Sequence, residues 1–280
     1  MEKIDILGVK INKLTFDQVL EKINNFLVEN NKNYISTVNP EFIMAALKDD
    51  EFKRILNNSS LAIPDGIGML WAAKYLNWKS NLKNKFLLRV NENFRIMISG
   101  ISLIFYPRFC KSVLQERISG VDLMWEIAKI GEHKNCSIFF LGGFDKVGEY
   151  TSKKMKAVYP NLNIAGVYEG TYQEGDDYVI QELINKSQAD VVFVAFGQVK
   201  QEKWIVRNLP NLSSVKLAMG VGGSFDFIAG KAKRAPRFFQ KIGLEWLWRV
   251  LFEPWRFGRI ITATFKFTHL VYKSKIDKYN

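Results

Sequence analysis

Three times in the middle of the chain a short apolar run ends in glycine and is followed by a helix-like stretch. Ser137–Gly143 (SIFFLGG) leads to DKVGEYTSKKMKAVY, Leu162–Gly170 (LNIAGVYEG) to DDYVIQELINKS, and Asp190–Gly197 (DVVFVAFG) to KQEKWIVRNL. A fourth run, Val215–Gly223 (VKLAMGVGG), follows at once. Runs of Val, Phe and Ile without polar alternation suit strands covered on both faces, and helices of ten to fifteen residues between them make βαβ units. The N-terminal half adds YISTVN (Tyr34–Asn39) before the helical EFIMAALKDDEFKRIL, then LAIP (Leu61–Pro64) before GIGMLWAAKYL. The expected architecture is α/β, a doubly wound, mainly parallel, Rossmann-like sheet. Ligands of such sheets sit beyond the carboxyl ends of the strands. That rule gathers Thr37, Asn39, Asp65, Gly142, Gly143, Gly197 and Gly223 onto one rim.

Charge divides the chain further. The net charge of +12 is concentrated in two segments. Lys231–Asn280 holds twelve Lys/Arg against three acids, and Lys79–Arg117 eight against two, which leaves the remainder slightly acidic. Pro236–Lys273 also carries ten aromatic residues and is interrupted by Pro254, so at least two helices are expected there. The division is therefore an α/β body over 1–230 and a basic, aromatic-rich helical appendage over 231–280. Basic, amphipathic, Trp- and Phe-rich segments suit a membrane interface, and equally a helical pair packed on the sheet with solvated arginines. The stretch around RIMISGISLIFYPRF reads either as a second interfacial element or as a buried pair of helices. Its uncharged run Ile96–Pro107 is twelve residues long, short of the ~20 that span a bilayer. MEKIDILGVK has no apolar h-region, and two cysteines (Cys110, Cys136) with two histidines (His133, His269) give neither a disulfide framework nor zinc spacing. A reduced, cytoplasmic setting is expected.

The chemistry-bearing motifs are few. GGFDKVG around Gly142 and Gly143 lacks both the G-x-G-x-x-G order and the G-K-[ST] of a P-loop, so it reads as a glycine turn. There is no D-x-D pair and no His/Cys cluster, which points to chemistry without a metal or other cofactor. SLAIPDGIG (Ser60–Gly68) ends a strand in a lone carboxylate, Asp65, held between Pro64 and Gly66. Asp65 is placed either to cap the next helix or to act as a general base at a strand's carboxyl end. On residue chemistry alone both readings stand.

TVNPEF (Thr37–Phe42), PDGIG (Pro64–Gly68), ERISGVDL (Glu116–Leu123) and FLGG (Phe140–Gly143) occur in that order. FGQVKQEKW (Phe196–Trp204), GVGGSFDFIAGKAKRAP (Gly220–Pro236), GLEW (Gly243–Trp246) and EPWR (Glu253–Arg256) continue the series. From about Val9 to about Arg259 the chain resembles the WecG/TagA/CpsF family of bacterial glycosyltransferases. The resemblance implies a peripheral enzyme on the cytoplasmic face of the cell membrane. Such an enzyme moves a sugar, with inversion, from a UDP-sugar to an undecaprenyl-diphosphate-linked sugar during synthesis of a wall or surface polymer. Asp65 then resembles the family's catalytic base, Thr37 a catalytic polar neighbour, and Asn39, Arg117 and Gln201 residues of the same pocket. Arg249, Arg256 and Arg259 resemble the arginines of an appendage that closes over the site. Self-association as a homo-oligomer is compatible with the resemblance. Two departures stand out: Val199 occupies a position usually held by proline, and residues 79–113 look like an insertion. The competing readings are a nucleotide-dependent oxidoreductase, which lacks its glycine fingerprint here, and a non-catalytic binder of membrane or nucleic acid. The resemblance implies no nucleic-acid partner.

Overall fold

The computed structural model describes residues 1–82, 84–241, 245–252 and 257–278. The chain opens with a hairpin of β1 (Lys3–Ile6) and β2 (Val9–Asn12), turned by Leu7 and Gly8 at positive φ. Then follow α1 (Phe16–Val28), β3 (Asn33–Val38), α2 (Pro40–Ala46), α3 (Asp50–Asn58), β4 (Leu61–Pro64), α4 (Ile67–Asn77) and α5 (Lys85–Phe105). The middle third contains α6 (Gly120–Lys134), β5 (Ser137–Gly142), α7 (Val147–Val158), β6 (Asn163–Tyr168) and α8 (Asp177–Ser187). The chain continues through β7 (Val191–Ala195), α9 (Lys200–Asn208), β8 (Leu217–Gly220) and α10 (Ser224–Ala229). Helices α11 (Arg237–Lys241), α12 (Glu245–Phe252) and α13 (Phe257–Asp277) complete it. The helical stretch after Asn39 is two helices rather than one, because Asp49 starts α3 afresh by accepting the Phe52 amide at 2.9 Å.

Six strands form one sheet in the order β4-β3-β8-β7-β5-β6, and every neighbouring pair is parallel. Strands β4, β5, β7 and β8 are largely apolar because each face is covered, whereas β3 carries Ser36 and Thr37 and the edge strand β6 is half-buried. Ile35, Leu61, Ile63, Phe140, Phe193 and Met219 point into a core under α1, α6, α7 and α10. Their alternates Val38, Ala62, Leu141, Val192, Val194 and Ala218 point to the opposite side, beneath α2–α4, α8 and α9. This is the period of two expected of a pleated strand, with no polar phase. The doubly wound α/β architecture expected from the sequence is the one found.

Strands β3 and β8 lie side by side, yet the helices that follow them go to opposite faces. Phe42 and Ile43 of α2 join one core, Phe225 and Ile228 of α10 the other. Diverging helices leave a crevice at the strands' carboxyl ends, the geometry that binds ligands in open α/β sheets.

Composition changes near residue 230, but packing crosses that point. Phe267 and Val271 of α13 are buried in the core shared with α2 and α4. One turn further on, Lys275 is buried as well. Its Nζ donates to the Tyr75 and Trp78 carbonyls at 2.5 and 2.7 Å and lies 3.3 Å from Glu92 Oε2, itself fully buried on α5. Arg95 supplies Glu92 with a second cation at 2.9 Å. The last helix is thereby fastened to α4 and α5.

Candidate active site

The crevice is a cleft of about 280 Å³. Its lining includes Thr37, Asn39, Asp65, Gly197 and Gly223, five residues of the expected rim, together with Gln201, a pocket residue implied by the resemblance. Each arrives at the end of a strand or at the helix start that follows it. Thr37 is next to last in β3 and pairs with Ile63 of β4, two residues before Asp65. The Asp65 amide donates to the Val38 carbonyl at 2.8 Å, and the Ile118 amide donates to Pro64 at 2.9 Å. The peptide group that leads into Asp65 is thus held at both its N–H, by β3, and its carbonyl, by the Ile118 amide.

The capping alternative is answered by the start of α4. Its N-cap is Gly66, at φ +96°, and makes no side-chain cap. Such a φ suits glycine and few other residues. Asp65 stands one position earlier and lines the cleft. Asn39 does cap: its Oδ1 accepts the Phe42 amide of α2 at 3.0 Å.

Gln201 and its neighbour Glu202 frame the opposite wall. Gln201 Oε1 accepts the Gly222 amide at 2.9 Å, while its Nε2 donates to Glu202 Oε1 at 2.7 Å. Glu202 Oε2 accepts the Val199 amide at 2.8 Å. Val199 has φ +70°, an outlier for a β-branched residue, in the loop that brings Gly197 and Gln198 to the cleft. Proline, with φ locked near −65°, has no access to this turn. Gly220 packs so closely beneath these side chains that a Cβ on it would meet Glu202 Oε1 at 2.5 Å.

Burial pushes the Glu202 carboxyl up to about 7, against the hydrogen bonds from Gln201 and the Val199 amide that favour its charged form. The folded chain therefore keeps this proton to higher pH than the unfolded chain does. The stability the group contributes is present below about pH 4.5 and is lost as pH rises to about 7. Glu202→Gln is expected to flatten that decline, so its melting temperature should fall less than wild type's across the same window. Parallel melting curves for the two proteins would show Glu202 titrating as an ordinary carboxylate.

Two cations and a bridging acid sit at the cleft's edge. Arg234 forks onto Asp122 at 2.6 and 2.7 Å. Burial alone would lower its pKa, but the Asp122 carboxylate, then Glu245 and Asp65, hold it above the usual arginine value. Arg234 therefore lies within electrostatic reach of Asp65. Arg117 is not among the cleft-lining residues; its Nη1 donates to Glu245 Oε2 at 2.7 Å, and Arg234 Nε lies 3.6 Å from Glu245 Oε1. Glu245 is the first residue of α12, so one carboxylate binds an arginine of the body, Arg117, and one of the C-terminal segment, Arg234. Arg256 lies outside the described residues, as do the side chains of Arg249 and Arg259.

Gly142 and Gly143 are not part of the cleft lining. Both have positive φ, and a Cβ would meet Ala195 at 2.8 Å or Phe225 at 3.0 Å, so they allow close packing of the β5–α7 turn. Sequence reasoning passed over Gln198, Asp226 and Ser224, which line the cleft, as well as Glu202 and Arg234. Asp226, in the first turn of α10, and Glu41, in the first turn of α2, are further carboxylates of the cleft. Among the described residues no three His, Cys, Asp or Glu side chains group as metal ligands. A second cavity, of about 410 Å³, shares Phe227 with the cleft and is bordered by Trp125, Lys154 and Arg234.

A profile of the Glycosyl transferase WecG/TagA/CpsF family matches residues 4–87 and 79–280. The chain belongs to the WecG/TagA/CpsF family of glycosyl transferases. It is 31% identical over 260 residues to a Staphylococcus aureus (strain MRSA252) protein named N-acetylglucosaminyldiphosphoundecaprenol N-acetyl-beta-D-mannosaminyltransferase, spanning 92% of this chain and 88% of the relative. A Bacillus subtilis (strain 168) protein of the same name is 31% identical over 270 residues, 96% of this chain and 90% of its own length. The glycosyltransferase motifs TVNPEF, PDGIG and GVGGSFDF are thus the segments that line the cleft.

Proposed function

We propose that this glycosyltransferase moves N-acetylmannosamine, or a closely related hexosamine, from a UDP-sugar to a sugar carried on undecaprenyl diphosphate. The relatives' names describe that acceptor class with N-acetylglucosamine as the lipid-linked sugar. The reaction would serve assembly of a wall polymer such as teichoic acid, at the cytoplasmic face of the membrane. Residues 1–230 would be the catalytic body and 231–280 an appendage that closes over it. Among the described residues no helix is long and apolar enough to cross a bilayer. The observation that carries the reading is Asp65: a carboxylate on tethered backbone, lining a cleft and not capping the helix after it.

In the proposed step Asp65 takes the proton of the acceptor hydroxyl as its oxygen attacks the anomeric carbon. The bond to the donor's diphosphate breaks on the opposite face and UDP leaves with the electron pair. Thr37, beside Asp65 on the neighbouring strand, would orient the hydroxyl. Charge growing on the leaving diphosphate needs cations, and Arg249, Arg256 and Arg259 are proposed to provide them from the appendage. Guanidiniums pair bidentately with phosphate oxygens and stay charged at any working pH. Fixed cations in a site of low water content stabilise developing charge without reorganising.

The test is the product. UDP-N-acetylmannosamine and lipid-diphosphate-linked N-acetylglucosamine should give one disaccharide whose new linkage, read by NMR, is inverted relative to the donor, and EDTA should leave the rate unchanged. Retained configuration, or a rate abolished by chelation, would contradict the displacement described.

A further inference from the structure

Helices on the surface of a water-soluble body turn apolar side chains inward and polar ones outward. Helix α5 packs Leu88, Ile96 and Leu103 inward but also turns a row of large apolar side chains outward. Phe86, Leu87, Val90, Phe94, Met97 and Ile101 are each between 51% and 73% exposed. All but Leu87 follow one another at steps of three or four residues, a single stripe about 22 Å long at 1.5 Å per residue. Beside Leu88, Ile96 and Leu103, the inward face carries the buried polar groups Glu92 and Ser99. Ser99 accepts the Trp71 indole N–H at 3.0 Å, Glu92 is paired with Arg95 and Lys275, and the exposed Asn93 accepts the Tyr272 hydroxyl at 2.7 Å. These bonds fix the helix against α4 and α13 in one rotation, so the stripe has no route back to the core.

We propose that α5 lies in the headgroup region of an anionic lipid bilayer, with this stripe against the acyl chains. Charge decides between a membrane and a second copy of the chain. Residues 79–113 contain seven Lys/Arg and a single acid, Glu92, which is buried. Lys79, Arg89, Arg108 and Lys111 are exposed around the stripe. Two copies meeting through this face would set like charges against each other, whereas anionic headgroups neutralise them. The helix is long and amphipathic but not apolar enough to span, which suits a helix lying in the interface plane. The exposed Phe238, Leu251, Phe252 and Phe265 offer further apolar anchors from the C-terminal segment. Helix α4, which starts beside Asp65, packs on α5, so seating α5 in the interface holds the cleft near the headgroups. The inference deepens the proposal of a lipid-linked acceptor by naming the surface that meets the lipid, and its test needs no substrate.

The test is flotation of the full chain with vesicles rich in phosphatidylglycerol, compared with phosphatidylcholine alone. Wild type should float with the anionic vesicles, less with the neutral ones, and be released by high salt. The double variant Phe94→Gln, Ile101→Gln alters two exposed side chains and should keep its circular dichroism and melting temperature while losing about tenfold or more in vesicle partitioning. Its turnover of a short-chain, detergent-free acceptor should match wild type. Unchanged partitioning of the variant would overturn the proposal. So would a fall in molar mass by light scattering with vesicle binding unaffected, which would assign the stripe to a second copy. Wild type that turns over the short-chain acceptor without binding vesicles would refute the membrane face alone. Vesicle binding without any glycosyl transfer would refute the activity alone.

Discussion

Asp65→Asn is expected to lower turnover by roughly 10²- to 10⁴-fold, the range general-base catalysis supplies, while donor affinity stays within a small factor of wild type. Asparagine keeps the shape and the hydrogen-bonding reach of the side chain but accepts no proton. The backbone around it is held by the bonds from Asp65 to Val38 and from Ile118 to Pro64, neither of which involves the carboxylate. The variant should therefore melt within a few degrees of wild type, which separates loss of chemistry from loss of fold. Stopped-flow or discontinuous turnover together with UDP binding by calorimetry measures both quantities. A variant with near-normal turnover would remove the base from this residue, and the cleft's other carboxylates, Asp226 and Glu41, would be the next to examine.

Lys275→Met should be the most destabilising substitution in the C-terminal segment. It leaves Glu92, fully buried, with Arg95 as its remaining cation, and it strips the Tyr75 and Trp78 carbonyls of a shared donor. Breaking a buried pair by removing one partner costs about 3–5 kcal/mol, and because Arg95 still partners Glu92 the loss should lie toward the lower end. In a protein of this size that range corresponds to a melting-temperature drop of roughly 6–20 °C. Adding Glu92→Gln should recover part of it, since the buried carboxylate left with one cation in place of two is then gone. A single variant that melts like wild type would show that α13 is not held by this pair. Activity should fall with stability, because α13 is continuous with the segment proposed to bring arginines to the cleft.

The sheet was readable because its strands are covered on both faces, so the Val/Phe/Ile runs of β5, β7 and β8 lack the polar phase that would have confused them with surface strands. The rim followed from one topological rule, and Thr37, Asn39, Asp65, Gly197 and Gly223 do share a cleft, which Gln201, named through the family resemblance, also lines. The rule failed for Gly142 and Gly143 because it ignores lateral position. Strand β5 is two places from β8, and its carboxyl end is filled by Phe225 and the β7 backbone. Glu202 and Asp226 each sit in the first turn of a helix, where an acid is ordinary, so nothing in the order of residues marked them as buried or cleft-facing. The return of α13 to the body was hidden by composition. Its buried stripe, Phe267, Val271 and Lys275, has a lysine as its third member. Helix α5 shows the deepest limit: apolar residues lie on more than one side of it, and only the positions of Trp71 and Lys275 reveal that Ser99 and Glu92 turn inward while the stripe from Phe86 to Ile101 turns out.

The cleft's role is tested most directly by a crystal structure of the Asp65→Asn variant with an unhydrolysed UDP-sugar. The diphosphate and sugar should lie in the space bounded by Asn39, Gly197 and Gly223, with the anomeric carbon facing residue 65. Nucleotide bound instead in the cavity beside Trp125 and Lys154, or a residue 65 side chain turned away from the sugar, would contradict the account.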